Sequence, residues 1–464
     1  MSLIKSISGF RGTIGGKPND NLTPIDIVKF ASAYGSWLLH KAPGKKKVVV
    51  GRDGRMSGEM VEVLVEQSLL ALGIDVIHLG LSTTPTVEMA VVFEKADGGI
   101  ILTASHNPKQ WNALKLLNEK GEFVSGEEGK TILTLAANED FNYAEIDHLG
   151  KIISNNDSLE KHIQAILNYP LVDVNAIKAA NFSVVVDAIN SSGAFTVPAL
   201  LKAIGVNDIT VLNGDMHGNF AHNPEPLKEN LTELCDTVLS KKASLGIAVD
   251  PDVDRLCFVS ENGELFGEEY TLVAVADYIL QNKKGATVSN LSSTRALRDV
   301  TEKYGCSYFA SAVGEVNVVN KMKNEKAVIG GEGNGGIIVP DLHYGRDALI
   351  GIALFLTHLA KSKMSASALR ASYPAYYMSK KKMDLDASIS LSKIFEVLAT
   401  KFAAFPINKE DGFKIDFENE WVHLRSSNTE PIIRIYTEAP SQAAADKLAD
   451  EIISIIGTTN LEKV

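Results

Sequence analysis

The stretch KVVVGRDGRMSGEMVEVLVEQSLLALGIDVIHLG, residues 47–80, decides the fold. Three β-branched residues, Val48, Val49 and Val50, predict a strand. Residues 57–72 follow with apolar side chains at helical spacing and predict a helix. Gly73 stops it, because glycine accepts the left-handed backbone that ends many helices. A second strand-like run, IDVIHLG, comes next. Strand, helix, glycine, strand is the rhythm of a largely parallel sheet covered by helices.

The same order of signals recurs twice. FSVVV (182–186) leads to a helical pattern over 193–204, then Gly205 and VNDITVLNG. ATVSNL (286–291) leads to a helical pattern over 294–304, then Gly305 and CSYFASAVG. Each repeat then reaches another apolar run that ends in a polar loop. These are GGIILTASHNP (98–108), LGIAVDPDVDR (245–255) and AVIGGEGNGG (327–336). Ligands of open α/β sheets bind beyond the carboxyl ends of the strands, so these loops are where chemistry is expected. The C-terminal part reads differently. DGFKIDFEN, WVHLRSS and IIRIYTEA alternate as antiparallel strands do. Residues 441–456 read as an amphipathic helix with Ala445, Leu448, Ile452 and Ile456 on one side. The expected architecture is α/β: three related mixed or parallel-sheet domains, plus a smaller α+β C-terminal domain. The divisions fall at 1–154, 155–259, 260–373 and 374–464.

Composition narrows the function classes. At 464 residues the chain is too long for one core. Its 45% hydrophobic and 22% charged content suits a soluble globular protein. The net charge is −11 with no basic stripe, which argues against a nucleic-acid partner. The lysine runs Lys45-Lys46-Lys47 and Lys380-Lys381-Lys382 read as solvated faces. Cys235, Cys257 and Cys306 lie far apart, which disfavours a disulfide framework or a zinc site and fits a reducing compartment. No run approaches ~18 apolar residues, and the N-terminal residues lack a signal-peptide pattern. A cytoplasmic location without a membrane partner is expected.

Four polar loops carry the chemistry. In TASHNP (103–108), Ser105 can present its hydroxyl to a ligand, with His106 and Asn107 beside it. In DPDVDR, Asp250, Asp252 and Asp254 are spaced i, i+2, i+4. On a tight loop all three can wrap one centre. Two carboxylates ~4 Å apart repel by roughly 4 kcal/mol at an effective dielectric near 20, so three together call for a cation. A compact set of oxygen ligands suits Mg²⁺. An exposed acidic turn is the plain alternative, disfavoured by the apolar strand before it and by Arg255-Leu256-Cys257-Phe258 after it. RSSNTEP (425–431) offers Arg425 for bidentate phosphate contact, with Ser427 and Thr429 as hydroxyl donors. A hairpin turn closed by Ser and Asn side chains is the alternative there. GGEGNGG lets backbone approach a ligand closely, and Glu332 and Asn334 can bond sugar hydroxyls; a flexible turn is the plainer reading of this loop on its own. Lys115, in WNALK, and Arg11, in SGFRG, can stabilise transferred charge, with an ordinary surface charge the plainer reading of each taken alone. Gly129-Lys130-Thr131 is no phosphate-binding P-loop, because Val124 stands where the first glycine is required.

Taken in order, these loops resemble those of the α-D-phosphohexomutase family of phosphoglucomutase, phosphomannomutase and phosphoglucosamine mutase. The resemblance runs through SGFRG, GRDGR (51–55), TASHNP, WNALK, NPEP, DPDVDR, GEGNGG and RSSNTEP. It implies four domains around a central cleft. It implies an isomerase in which Ser105 carries a phosphoryl group. Asp250, Asp252 and Asp254 would bind Mg²⁺ together with the Ser105 phosphate. Arg11, Lys115 and His106 would join Ser105 in catalysis. Arg255, Glu332, Asn334, Arg425, Ser427, Asn428 and Thr429 would hold substrate. The implied reaction interconverts hexose 6-phosphate and hexose 1-phosphate through a bound 1,6-bisphosphate that also serves as activator. Partners would be small sugar phosphates, and the chain a monomer or homodimer. Glucosamine phosphate is the favoured substrate, with a bifunctional glucose/mannose mutase as the alternative.

Departures from the family pattern bear on proton transfer. Asn334 and Gly336 replace the usual Ser and His of the sugar loop, and Gly314-Glu315 stands where some members carry Gly-His. Two histidine bases are therefore missing, and Lys115 is the candidate to take the hydroxyl proton. Two rival readings remain. DPDVD is similar to the aspartate-nucleophile loop of haloacid-dehalogenase-type phosphatases, with Asp250 phosphorylated, but Asp254 departs from that pattern. A catalytically silent sugar-phosphate-binding protein would keep the fold without the intact Ser105 and three aspartates having a use.

Overall fold

The computed structural model describes residues 2–6, 9–384, 391–426 and 432–461. They form two compact units: the residues up to Asn282 with Asn334–Arg370, and Lys283–Gly333 with the residues from Ala371 onward.

The stretch 47–80 folds as its pattern predicts. Lys47–Arg52 is a strand, Gly58–Ala71 a helix and Asp75–Leu81 the next strand, parallel to the first. They belong to a seven-stranded mixed sheet. Its spatial order is Ile4–Ser6, Gly9–Thr13, Trp111–Leu117, Gly98–Leu102, Lys47–Arg52, Asp75–Leu81, Ile152–Ser154. The near-continuous valine run reflects burial on both faces. Val48 and Val50 pack with Phe30, Tyr34, Val61 and Val65 on one side. Val49 packs with Val87 and Val91 on the other. Each fully buried valine contributes about 1.5–3 kcal/mol relative to exposure. The N-terminal hairpin, Ile4–Ser6 with Gly9–Thr13, had no counterpart in the sequence reading. It extends the sheet next to Trp111–Leu117, and a side chain at Gly9 would place its Cβ 2.2 Å from the Leu114 carbonyl oxygen.

The second sheet has the order Leu256–Ser260, Leu245–Val249, Ser183–Asp187, Asp208–Leu212. Its central strands are parallel, and Leu256–Ser260 returns antiparallel. Leu245–Val249 is buried throughout and ends where DPDVDR begins. Gly98–Leu102, likewise wholly buried, ends at TASHNP. Both polar loops of the first unit thus lie at carboxyl ends of buried strands, the placement expected for chemistry.

In the second unit, Thr287–Asn290 lies between Tyr308–Ser311 and Ile329–Glu332, all parallel. An antiparallel sheet follows, ordered Tyr377–Asp384, Ile432–Ala439, Trp421–Ser426, Phe413–Asp416, Ile407–Asn408. Ile394 and Leu398 of one covering helix and Leu448, Ile452 and Ile456 of the other pack on its inner face. The lysine run Lys380-Lys381-Lys382 is part of the strand Tyr377–Asp384. Lys380 and Lys382 are exposed, while Lys381 points the other way and pairs with Asp450 at 2.7 Å. Three consecutive lysines hide the polar–apolar alternation that would have marked a strand. Among the described residues no helix is long and apolar enough to cross a membrane.

Candidate active site

Ser105 sits just past the strand Gly98–Leu102, in a backbone conformation with φ of 48°. A non-glycine residue there costs of order 1–3 kcal/mol and persists only where its surroundings fix it. Those surroundings are explicit. Asp53 Oδ2 accepts from Thr103 Oγ1 at 2.6 Å, and Thr103 Oγ1 accepts from the Ser105 N–H at 2.9 Å. Arg55 has no exposed side-chain surface and pairs with Asp53 at 3.0 Å. Its guanidinium donates to the carbonyls of Ser105, Asn107 (2.7 Å), Pro108 (2.9 Å) and Trp111 (2.9 Å). The planar fork of arginine suits such simultaneous contacts. GRDGR therefore moulds the serine loop from beneath.

Ser105 Oγ donates to Asp250 Oδ2 at 2.8 Å, which joins the first loop to the second. Asp250 Oδ1 accepts from the N–H groups of Asp254 and Arg255, both at 3.1 Å. Val253 holds φ at 61°, a strained position for a β-branched residue, and lets the loop curl so that its three aspartates converge. One oxygen from each lies within 4.8 Å of the others. Lys115 Nζ reaches Asp252 Oδ2 at 2.7 Å and Asp254 Oδ2 at 3.4 Å. Arg346 donates to Asp254 Oδ2 at 2.6 Å, and Thr84 Oγ1 to Asp252 Oδ2 at 2.5 Å.

Burial raises the Asp250 carboxyl well above the usual carboxylate range, and repulsion from Asp254 and Asp252 pushes the same way. Burial acts on Asp252 too, but Lys115 and Thr84 overcome it and hold that carboxyl below its usual range. Burial opposes the Lys115 charge, yet Asp252 and Asp254 raise its pKa. His106 Nδ1 lies 3.4 Å from Ser105 Oγ. Burial, then Arg255, drive that imidazole well below its ordinary pKa, so it is neutral at neutral pH.

Arg11 is exposed on Gly9–Thr13, opposite Ala113 on the neighbouring strand. Lys115 pairs with Gly9 in the same register, so Arg11 and Lys115 share one face of the sheet. Arg255 pairs with Glu225 at 3.1 Å. Asn334 Oδ1 accepts from Gly336 N–H at 3.2 Å. In the second unit, Glu332 Oε1 accepts from Asn290 Nδ2 at 2.9 Å and Gly314 N–H at 3.1 Å. Arg425 pairs there with Asp411 at 2.8 Å. Ser427, Asn428 and Thr429 lie outside the described residues. The sequence reading gave no role to Arg55, Thr84 or Arg346. Arg55 alone had a visible signal, as part of the GRDGR motif.

The chain matches the pattern of "Phosphoglucomutase/phosphomannomutase, alpha/beta/alpha domain I" over residues 4–143. Domains II and III of the same description match 160–263 and 267–377, and its C-terminal domain matches 380–455. A phosphoglucomutase/phosphomannomutase of Thermococcus kodakarensis is 37% identical over 440 residues, covering 94% of this chain and 95% of that one.

The chain belongs to the phosphohexomutase family.

A second relative of this phosphohexomutase is a phosphoglucosamine/phosphogalactosamine mutase of Sulfurisphaera tokodaii, 32% identical over 464 residues and covering 98% and 99% of the two chains. The fold of this chain matches the crystal structure of a phosphoglucomutase/phosphomannomutase family protein from Burkholderia thailandensis, with a TM-score of 0.83 at 24% identity and 98% coverage of both chains.

The donor set of this phosphohexomutase fits a hard divalent cation. Asp252 Oδ1 and Asp254 Oδ1 are buried and accept no hydrogen bond from any described residue. An orphaned buried carboxylate oxygen is costly, and two of them in a cluster of three converging aspartates, the first of which accepts from the Ser105 hydroxyl, suit Mg²⁺. Without the cation, the folded state binds the Asp250 proton more tightly than the unfolded chain does. That group's contribution to stability therefore falls as pH rises above about 4. Asp250→Asn relieves the repulsion and keeps an acceptor for the two N–H groups. In thermal denaturation at neutral pH without Mg²⁺, it is expected to be at least as stable as the wild type. With Mg²⁺ near 100 times its Kd, the wild type gains ~2.7 kcal/mol and the variant far less. Equal gains would argue against this loop as the cation site.

Proposed function

We propose that this phosphohexomutase interconverts hexose 6-phosphate and hexose 1-phosphate by lending and regaining a phosphoryl group at Ser105. The observation that supports it most is the hydroxyl of a conformationally fixed serine, 2.8 Å from the first of three convergent aspartates. In the forward half-reaction the Ser105 Oγ–P bond breaks and a P–O bond forms to the free sugar hydroxyl, which gives up its proton. A hexose 1,6-bisphosphate results. After it turns end for end, its other phosphoryl group returns to Ser105 Oγ and the monophosphate isomer leaves. Mg²⁺ bound by Asp250, Asp252, Asp254 and the serine phosphate would neutralise charge on the transferring oxygens.

The chain's own groups supply the rest. Lys115 and Arg346 hold the acidic loop in shape and place positive charge beside it. Lys115, its ammonium stabilised by two aspartates, is a charge stabiliser in this state and not the base that the sequence suggested. His106 is the neutral group near Ser105 Oγ and is better suited to accept the hydroxyl proton. Glu332, Asn334 and Arg425 would contact substrate, together with Arg11, Arg255, Ser427, Asn428 and Thr429.

For the sugar, glucosamine 6-phosphate is the favoured substrate. Glu332 offers a carboxylate to the ammonium at C2, and the Sulfurisphaera relative is named for amino-sugar phosphates. The Thermococcus relative, named for glucose and mannose phosphates, favours a bifunctional glucose/mannose mutase as the second reading. A panel of glucosamine 6-phosphate, glucose 1-phosphate and mannose 1-phosphate decides between them. Mg²⁺ and catalytic bisphosphate are supplied, and kcat/KM is compared. Glucosamine 6-phosphate is expected to lead by at least about tenfold, corresponding to ~1.4 kcal/mol in the transition state. A lead for glucose or mannose selects the second reading, and no isomerisation of any of the three overturns both.

A further inference from the structure

Two helices of the first unit begin at the acidic loop. At the start of Thr84–Phe93, the Thr84 N–H donates to the Asp252 carbonyl at 2.9 Å and its hydroxyl to the Asp252 side chain. At the start of Ala348–Ser362, the Ala348 N–H donates to the Val253 carbonyl at 3.2 Å, and the preceding Arg346 reaches Asp254. The loop is therefore gripped from two sides.

Behind these helix starts runs a buried chain of side chains that the proposed reaction does not use. Thr83 Oγ1 donates to Thr86 Oγ1 at 2.7 Å, and Thr86 Oγ1 lies 3.0 Å from His162 Nδ1. His162 Nε2 is 3.0 Å from Asp347 Oδ2, and His343 Nε2 is 3.3 Å from the same oxygen. His343 Nδ1 lies 3.4 Å from Glu88 Oε2. Asp347 Oδ1 caps the second helix by accepting from the N–H groups of Leu349 (2.8 Å) and Ile350 (3.3 Å). His162 and Asp347 are fully buried, and Glu88 and His343 nearly so.

Counting protons explains the arrangement. The Thr83 hydroxyl points to Thr86, so the Thr86 proton goes to His162 Nδ1. His162 then carries its own proton on Nε2 and donates it to Asp347. His343 Nε2 donates to Asp347, its Nδ1 forms an ion pair with Glu88, and the ring is an imidazolium. Burial opposes that charge, but the bonds to Asp347 and Glu88 raise its pKa to about 10. Two imidazoles converging on one carboxylate also have the outline of a three-ligand metal site. A metal there would have to displace the two Nε2 protons that Asp347 accepts.

We infer that His162 and His343 are positioning residues. Through Asp347, Thr86 and Glu88 they lock the two helix starts together, and so hold Asp252 and Asp254 in the geometry that sets divalent-cation affinity. This rests on the reading of Asp250, Asp252 and Asp254 as cation ligands. Groups that orient metal ligands from behind typically change affinity by 10–100-fold when removed.

The test uses the full chain and Mn²⁺ as probe, with free Mn²⁺ read by electron paramagnetic resonance and no substrate present. Wild type is expected to bind one Mn²⁺ that Mg²⁺ displaces, and Asp252→Asn is expected to lose it. His343→Gln and, independently, Glu88→Gln are expected to weaken Mn²⁺ binding by about tenfold or more. Their near-ultraviolet circular dichroism should stay native. His343→Lys, which restores a cation between the carboxylates, should recover part of the loss. Excess Mg²⁺ should restore kcat in His343→Gln while KM for the sugar phosphate changes little. Wild-type Mn²⁺ affinity in either folded glutamine variant overturns the inference. So does one equivalent of zinc in the wild type that His343→Gln removes. Wild-type protein that binds no Mn²⁺, or Asp252→Asn that binds it normally, instead overturns the assignment of the acidic loop, and the inference falls with it.

Discussion

Alanine at position 105 is expected to lower mutase turnover by at least ~10³-fold while leaving the fold and the binding of Mg²⁺ largely in place. If Ser105 Oγ is the phosphoryl carrier, its loss removes the covalent intermediate and not merely a contact. Among the described residues the side chain makes two polar contacts through Oγ, to Asp250 and His106. The backbone of its loop is held by Thr103 and Arg55 through main-chain atoms, which alanine keeps. Steady-state rates with the best substrate of the panel, beside a melting curve, separate the two effects. A variant with both low activity and a collapsed melting temperature would fail to support a covalent role. Undiminished turnover in a folded variant would remove it.

The largest effect on stability is expected at Arg55. Arg55→Met keeps volume but strips four carbonyls of their donor and leaves Asp53 buried without its cation. Burial already raises the Asp53 carboxyl, with Arg55 the leading influence against it. Removing one partner of a buried pair costs about 3–5 kcal/mol. Chemical denaturation of Arg55→Met against wild type measures it. The same variant should also lose most mutase activity, because nothing else described spans residues 105–111 from beneath. A cost below about 1 kcal/mol would mean that Arg55 is not what fixes the left-handed serine.

How far the sequence disclosed this design depended on whether partners are close along the chain. The repeat of strand, helix and glycine at 47–80, 182–214 and 286–314 is local, and the structure follows it to within a few residues. The aspartates of DPDVDR are also local, so their convergence was legible. Arg55 donates to carbonyls fifty or more residues away, and backbone partners are recorded by no side-chain pattern. Arg346 acts on Asp254 across ninety-two positions from a segment without a motif of its own. Lys115 was seen, but its two carboxylate partners, which keep it protonated, were not. Ser427, Asn428 and Thr429, which the sequence suggests for phosphate binding, lie outside the described residues.

The most direct measurement follows the phosphoryl group itself. Protein is incubated briefly with sugar phosphate labelled in the phosphoryl group, quenched in acid, digested and analysed by mass spectrometry. Phosphoryl carriage by Ser105 requires an acid-stable phosphate on the peptide containing it, chased off by unlabelled sugar phosphate at a rate no slower than turnover. A base-labile acyl phosphate on the Asp250 peptide, or isomerisation with no label ever reaching the protein, would contradict it.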